Sequence, residues 1–333
     1  MQAVVFDKGS YRLEELSRPP CPQQEALLRV LAAGICGTDF ELLQGYHGFS
    51  GVPGHEFVGV VEEAPQAPEL VGRRVVADIN CGCGACALCL GGDPHHCPDR
   101  SVIGIKDRNG AFAEYLTAPL SSLHTVPDSL SDQEAVLAEP LAAALQITQQ
   151  LLIRHRDRIA VLGDGKLGLL AALGLRLSSR KVVLLGRHPV KLDLAAEQGV
   201  GTICLQRDLP FTDQIRHLQP FDLVVEATGS AEGLSQALQL VRPRGAVAVK
   251  TTTAQAARLD LSRIVVDEIR LIGSRCGDTA QALDVLSQGG IDVSRIVEAE
   301  YPLSEFPAAW KRAGKPGAAK VMLRCAQSRE AAA

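Results

Sequence analysis

Nowhere in this chain do eighteen apolar residues run without a charge, which excludes a membrane-spanning helix of ordinary length. Positive charge is not in excess either. The 34 Lys and Arg stand against 38 Asp and Glu, a net charge of −4, so neither nucleic acid nor an anionic membrane surface is expected as a partner. The opening residues, Met1-Gln2-Ala3-Val4-Val5-Phe6-Asp7-Lys8, lack a basic segment followed by an apolar core, and a cytoplasmic location is the expectation. Internal repeats and low-complexity linkers are also missing. What is left is an ordinary globular composition, 46% hydrophobic and 22% charged, over 333 residues; that length outgrows a single core and predicts two domains.

Cysteine, by contrast, is plentiful: there are 10, five of them between Cys81 and Cys97. A reducing compartment keeps thiols free, so metal explains them better than disulfides do. Cys83, Cys86, Cys89 and Cys97 follow the pattern C-x2-C-x2-C-x7-C, with Gly82, Gly84, Gly91 and Gly92 loosening the backbone between them. Four thiolates that converge in this way make a closed, tetrahedral structural zinc site able to hold a loop with no apolar core of its own. Cys81 is left as a non-ligand. Free thiols in a glycine-rich loop are the plainer reading of the same residues.

A second group differs in chemistry. Gly34-Ile35-Cys36-Gly37-Thr38-Asp39 and Gly54-His55-Glu56 offer a thiol, an imidazole and a carboxylate, with the Thr38 hydroxyl two residues from the sulfur. Mixed sulfur, nitrogen and oxygen donors belong to catalytic rather than closed zinc sites. Glu139 is an acid inside the apolar run that starts at the capping signal Ser131-Asp132-Gln133-Glu134 and passes Pro140. An acid in such a run is either a helix-end residue reaching water or a group associated with the metal.

Up to about Thr125 the sequence consists of short alternating or apolar runs broken by turn residues, which predict a compact, mostly antiparallel β unit closing as a distorted barrel. From Arg158 strands and helices alternate, the signature of a parallel sheet. The strand Arg158–Leu162 leads directly into Gly163-Asp164-Gly165-Lys166-Leu167-Gly168, a helix through Leu177, and a second strand at 181–185. In that setting the glycines let the backbone approach a pyrophosphate at the positive end of the helix. An ordinary glycine-containing βα turn is the alternative. At the end of the second strand, where an NAD site places an acid, the chain has Gly186-Arg187-His188, with Lys191 beyond. Arg187 is suited to a 2'-phosphate and favours NADP(H) over NAD(H), unless both cations are simply solvated. Thr228 and Lys250 close two later strands at the edge where such sheets hold their ligand.

In this order the metal motif, the cysteine lobe and the dinucleotide turn, together with Gly110-Ala111-Phe112-Ala113-Glu114-Tyr115, Glu139-Pro140 and Glu226-Ala227-Thr228-Gly229, make the chain resemble the zinc-dependent medium-chain dehydrogenase/reductase family. The resemblance implies an α/β protein: a GroES-like β-barrel catalytic domain at 1–147 with its zinc lobe at about 81–98, a Rossmann domain with a doubly wound parallel sheet at 148–274, and a return to the catalytic domain at 275–333. It implies two zinc ions per chain. Cys36 and His55 become catalytic zinc ligands, Glu56 and Glu139 the carboxylates that complete or exchange in the shell, and Asp39 the residue that orients His55. Thr38 becomes the first proton carrier. Glu41 stands where the best-known alcohol dehydrogenases place a relay histidine, and glutamate at 139 replaces their cysteine, which points to the polyol and threonine dehydrogenase branches. Hydride transfer between an alcohol or polyol and a nicotinamide cofactor is the implied activity, in a homo-oligomer, dimer or tetramer. A zinc-independent quinone or enone reductase on the same fold, and a non-catalytic NADPH-binding redox sensor, are the alternatives; the Cys36, Thr38 and His55 set argues against both.

Overall fold

Strand pairing, rather than proximity in sequence, assembles the metal motif. In the computed structural model, which describes residues 1–252 and 256–325, the chain divides into two units. The first comprises Met1–Glu139, Thr279–Gln288 and the chain from Val293; the second comprises Pro140–Asp278 and Gly289–Asp292. The first break lies at Glu139/Pro140, inside the helix Ala138–Gln150, and not at 147. The return comes at Thr279, not 275. Helical sequence runs unbroken through the first boundary, so periodicity cannot mark it. The reading of Ser328 onward as a frayed tail falls outside the described residues.

In the first unit, β1 (Gln2–Asp7) and β2 (Ser10–Glu15) form an antiparallel hairpin, followed by β3 (Glu25–Gly34), β4 (Glu56–Glu63), β5 (Arg74–Ala77), β6 (Asn80–Cys81), β7 (Ser101–Val102), β8 (Tyr115–Pro119) and β9 (Leu123–Thr125). The second unit contributes β10 (Arg158–Leu162), β11 (Lys181–Gly186), β12 (Gly201–Cys204), β13 (Phe221–Glu226), β14 (Val241–Val249) and β15 (Arg270–Gly273). Two late strands, β16 (Val297–Pro302) and β17 (Lys320–Arg324), rejoin the first unit. There a seven-stranded sheet runs β16-β17-β3-β4-β5-β9, with β8 also on β3. Its pairs are antiparallel except β16 with β17. The core behind it includes Phe6, Leu28, Ile35, Phe112, Phe306 and Val321, all buried.

The second sheet is wholly parallel, in the order β12-β11-β10-β13-β14-β15. Burial on both faces makes its central strands continuous apolar runs, as in Ile159-Ala160-Val161-Leu162 and Leu223-Val224-Val225. The order reverses between β10 and β13, and the glycine turn follows β10 at that reversal, where open α/β sheets place their ligand.

Helix starts follow local chemistry. The Ser131 hydroxyl accepts the Glu134 N–H at 3.3 Å and the Glu134 carboxylate accepts the Ser131 N–H at 2.8 Å, a capping box that begins Asp132–Val136. Pro140 sits in the first turn of Ala138–Gln150, where its missing N–H leaves no helical bond unmade.

Candidate metal centre and dinucleotide turn

β3 lies between β17 and β4, with Gly34 opposite Glu56 on one side and Met322 on the other. That register brings the residues after Gly34, those before β4 and the start of β17 to one place. Cys36 caps the helix Gly37–Leu43 in extended backbone, and the fully buried Asp39 carboxylate accepts the Cys36 N–H at 2.8 Å. The other Asp39 oxygen lies 3.4 Å from Nδ1 of His55, so one side chain both caps the helix and orients the imidazole. Behind His55 the backbone is packed to contact: a Cβ on Gly104 or Gly110 would sit 2.3 or 2.1 Å from the Gly54 carbonyl oxygen, and Gly54 itself has φ +97°.

The ligand atoms of Cys36, His55 and Glu56 all lie within 4.8 Å of one another, and His55 and Glu56 are buried. A thiol, an imidazole and a carboxylate this close suit a zinc ion with room left for an exchangeable ligand. Burial disfavours the His55 cation, but Asp39 and then Cys36 outweigh it and hold its pKa well above the usual value. Metal binding to the neutral imidazole therefore displaces a proton. The Thr38 hydroxyl is 3.8 Å from the Cys36 sulfur.

Sequence reasoning missed Lys320. This lysine, 1% exposed, opens β17 and places its ammonium on the Glu56 carboxylate, which is as deeply buried. Burial opposes its charge, but Glu56, Cys36 and Glu139 raise its pKa, so it stays an ammonium. Glu139 thus acts electrostatically on Lys320 but lies outside the Cys36, His55 and Glu56 group. Glu41 is half-buried on the helix Gly37–Leu43, and its carboxylate makes no hydrogen bond or ion pair among the described residues.

In the lobe the four sulfurs of Cys83, Cys86, Cys89 and Cys97 form the second compact group, with Cys83 4.0 Å from Cys89 and Cys86 3.8 Å from Cys97. None of the four forms a disulfide. The backbone N–H groups of Ala85 and Cys86, with Cys97, lower the Cys83 pKa to about 7, which favours the thiolate a metal needs. Cys81 is buried apart from this group, and burial pushes its pKa up to about 11.

The glycine turn has the shape its spacing suggests. Gly163 has φ +109°, and a Cβ there would lie 2.5 Å from the Ala227 oxygen; on Gly168 it would lie 1.9 Å from the Gly163 oxygen. Gly165, which caps the helix Lys166–Ser178, has nothing within 4 Å of its Cβ position, leaving the helix N-terminus open to a pyrophosphate.

Residues 22–128 match the alcohol dehydrogenase GroES-like domain and residues 167–288 match the zinc-binding dehydrogenase domain. The erythritol/L-threitol dehydrogenase of Mycolicibacterium smegmatis is 32% identical over 92% of this chain and 92% of its own length. The chain belongs to the zinc-dependent medium-chain dehydrogenase/reductase family. Among solved structures, a short chain alcohol dehydrogenase from E. coli CFT073 complexed with NADH superposes with a TM-score of 0.90 at 25% identity, covering 97% of this chain and 99% of the other. A zinc-binding dehydrogenase from Sinorhizobium meliloti 1021 bound to NADP gives 0.86 at 28% identity, covering 97% and 98%.

Several residues that the sequence assigned to the cofactor have other partners in this dehydrogenase. The Lys250 ammonium bonds the carbonyl of Ala143, the hydroxyl of Ser274 and the carbonyl of Arg275, which occupy its donors inside the second unit. Lys250 is a structural tie, a correction to its reading as a cofactor ligand. Lys191 is 6% exposed and engaged within the protein. The Thr228 hydroxyl donates to the buried Glu226 at 2.6 Å and accepts the Ser230 N–H at 3.0 Å, shaping the loop after β13. Arg187 is exposed at the end of β11. The turn's own Asp164, assigned no role from the sequence, accepts the N–H groups of Arg187 and His188 at 2.7 and 2.6 Å through its carboxylate and contacts His188 Nδ1 at 3.0 Å. Burial works against that charge, but His188 and the two amides keep the Asp164 pKa below its usual value.

Proposed function

We propose that this dehydrogenase interconverts an alcohol of the polyol class and its carbonyl compound, using NADP(H). The observation that carries the reading is the Cys36, His55 and Glu56 group, whose donors converge in the unit that matches the GroES-like domain. The name of the M. smegmatis relative supports the polyol class. Cys36, His55 and one carboxylate, Glu56 or Glu139, would hold zinc. When bound, zinc supplies Lewis acidity toward the substrate oxygen and the nicotinamide supplies the hydride acceptor.

The chain's own residues do the rest. Asp39 keeps His55 in one orientation, and Lys320 neutralises the buried Glu56 carboxylate. The Thr38 hydroxyl accepts the proton of the substrate hydroxyl while releasing its own hydroxyl proton toward solvent, as the substrate carbon gives up a hydride to the nicotinamide, so the alcohol loses one proton and one hydride. No side chain beyond Thr38 is assigned to the proton. A screen of alcohols, polyols and aldehydes with NAD(H) and NADP(H) in parallel tests the reading; absence of turnover on every polyol and sugar alcohol would remove the substrate class.

For the cofactor, the exposed Arg187 supports NADP(H), since Asp164 already spends its charge on three local donors. Arg187→Ala is expected to raise KM for NADP(H) by about ten- to a hundredfold, the worth of a charge-assisted hydrogen bond, and to leave NAD(H) nearly unchanged. Equal effects on both cofactors in steady-state kinetics would refute that role.

We also read a second, structural zinc in the cysteine lobe. Cys97→Ser should reduce metal content by one zinc per chain by elemental analysis and make the segment at about 81–98 the first site of limited proteolysis, because its closure depends on the ion. Unchanged zinc and cleavage would exclude a structural ion there. A cytoplasmic homo-oligomer completes the reading. Among the described residues no helix is long and apolar enough to cross a membrane, and the helix Leu261–Val266 exposes Leu261, Val265 and Val266 at 66%, 74% and 79%. A monomeric mass in sedimentation would reject the oligomer.

A further inference from the structure

The edge of the parallel sheet opposite the glycine turn, where the strands begin, is rich in arginine. Arg154 lies in the segment before β10, Arg242 and Arg244 lie in the first turnings of β14, and Arg270 is the first residue of β15. All four line one cavity of about 260 Å³ within the second unit, and the acids lining it are Asp157 and Asp222. Four guanidiniums thus face two carboxylates in a chain whose net charge is −4.

Both acids are already engaged. Asp222 accepts the Arg158 N–H and Nε of Arg242, each at 2.7 Å, and Asp157 accepts the Arg154 N–H at 2.8 Å. Arg244 meets Glu268 at 3.3 Å, but their side chains are 80% and 71% exposed, so solvent screens most of that attraction. The guanidiniums of Arg154 and Arg270 make no hydrogen bond or ion pair among the described residues. The backbone at this corner is strained as well: Arg244 and Glu268 have φ of 60° and 50°, in the left-handed region that residues other than glycine rarely adopt. Strain of this kind persists where surrounding structure enforces it, often at binding sites.

We propose that this cleft is an anion site for a phosphoryl group, carried either by inorganic phosphate or by a phosphate monoester. Two unspent guanidiniums call for about two negative charges, which a phosphoryl group carries near neutral pH at about −1.5 to −2. The planar fork of each guanidinium matches a pair of phosphoryl oxygens, and a carboxylate would engage only one fork. Leu151, Ile153 and Leu223 line the same cavity and give an organic ester an apolar wall. The site is separate from the dinucleotide turn, which follows β10 at that strand's other end.

Calorimetric titration with inorganic phosphate and with glycerol phosphate, at constant ionic strength in chloride and with saturating NADP(H), tests the proposal. Filling the dinucleotide site first keeps the probes from reporting on it. The wild-type protein is expected to bind at least one probe saturably. Arg154→Gln/Arg270→Gln should weaken that binding at least tenfold and leave the melting temperature unchanged, because neither side chain is tied into the fold. Arg270→Lys, which keeps the charge and loses the fork, should fall in between. Tighter binding of the ester identifies the ester as ligand; equal binding identifies phosphate. Absence of saturable binding, undiminished binding by the double variant, or loss of binding in Arg187→Gln in its place would overturn the site.

Discussion

Lys320→Met in the metal-free protein is expected to lower stability by about 3–5 kcal/mol, the cost of leaving one partner of a buried ion pair without the other. Methionine keeps most of the aliphatic stem, so packing changes little and the loss is electrostatic. Glu56 is the stranded group: it is 1% exposed, and its carboxylate rests on the Lys320 ammonium. Lys320→Met/Glu56→Gln should therefore recover much of the loss, and the coupling energy in a double-mutant cycle should be well above that of a surface pair. Urea unfolding measures both. Since Glu56 and Cys36 raise the Lys320 pKa, this contribution is present across neutral pH and disappears only as alkaline pH passes the raised folded-state value. Zinc affinity should move the other way. The ammonium occupies a carboxylate that could bind metal and repels a divalent cation, so the single variant should bind zinc more tightly while folding less stably. A loss under about 1 kcal/mol, or weaker zinc binding, would show that Lys320 is not the counter-ion of Glu56.

The two halves of the fold were legible because each repeats a short-range signal. Alternation marked the early strands, and a glycine turn between β10 and the helix Lys166–Ser178 marked the parallel sheet. Cys36 and His55 were legible because few arrangements other than a metal site use a thiol and an imidazole in such motifs. Lys320 was not, since its meeting with Glu56 spans 264 residues and depends on β17 and β4 flanking β3. Its one sequence signal was a lysine next to Val321-Met322-Leu323, a charge where the strand pattern is apolar. Lys250 failed in the opposite direction. A cation closing a strand at the ligand edge reads as a phosphate contact, but its partners Ala143, Ser274 and Arg275 come from elements whose closeness only the tertiary fold reveals. Asp164 was hidden by its motif: between two glycines it reads as a spacer, yet a Cβ on Gly186 would lie 2.4 Å from its carboxylate, so the lack of an acid at the end of β11 and the presence of one in the turn are a single packing solution.

Cys36→Ala should reduce turnover at least about a thousandfold, or roughly 4 kcal/mol of transition-state stabilisation, within the several kcal/mol that a Lewis-acidic metal supplies. The backbone has little reason to move, because Asp39 accepts the Cys36 N–H rather than the thiol, and alanine keeps that bond. The substitution therefore removes a ligand without removing the helix start. Zinc content should fall by one ion per chain, leaving the ion of the four-cysteine lobe, and NADP(H) affinity should stay within about threefold because the glycine turn and Arg187 belong to the second unit. Cys81→Ala is the matching control. Cys81 is buried, but its sulfur lies outside both ligand groups, so that variant should lose only a small packing contribution and keep full metal and full turnover. Elemental analysis, fluorescence titration of NADP(H) and initial rates separate these outcomes. Turnover kept within tenfold, with one zinc lost, would mean that the thiol, imidazole and carboxylate group holds a metal but does not carry the reaction, and the catalytic role of that site would be withdrawn; zinc content unchanged would withdraw Cys36 as a ligand.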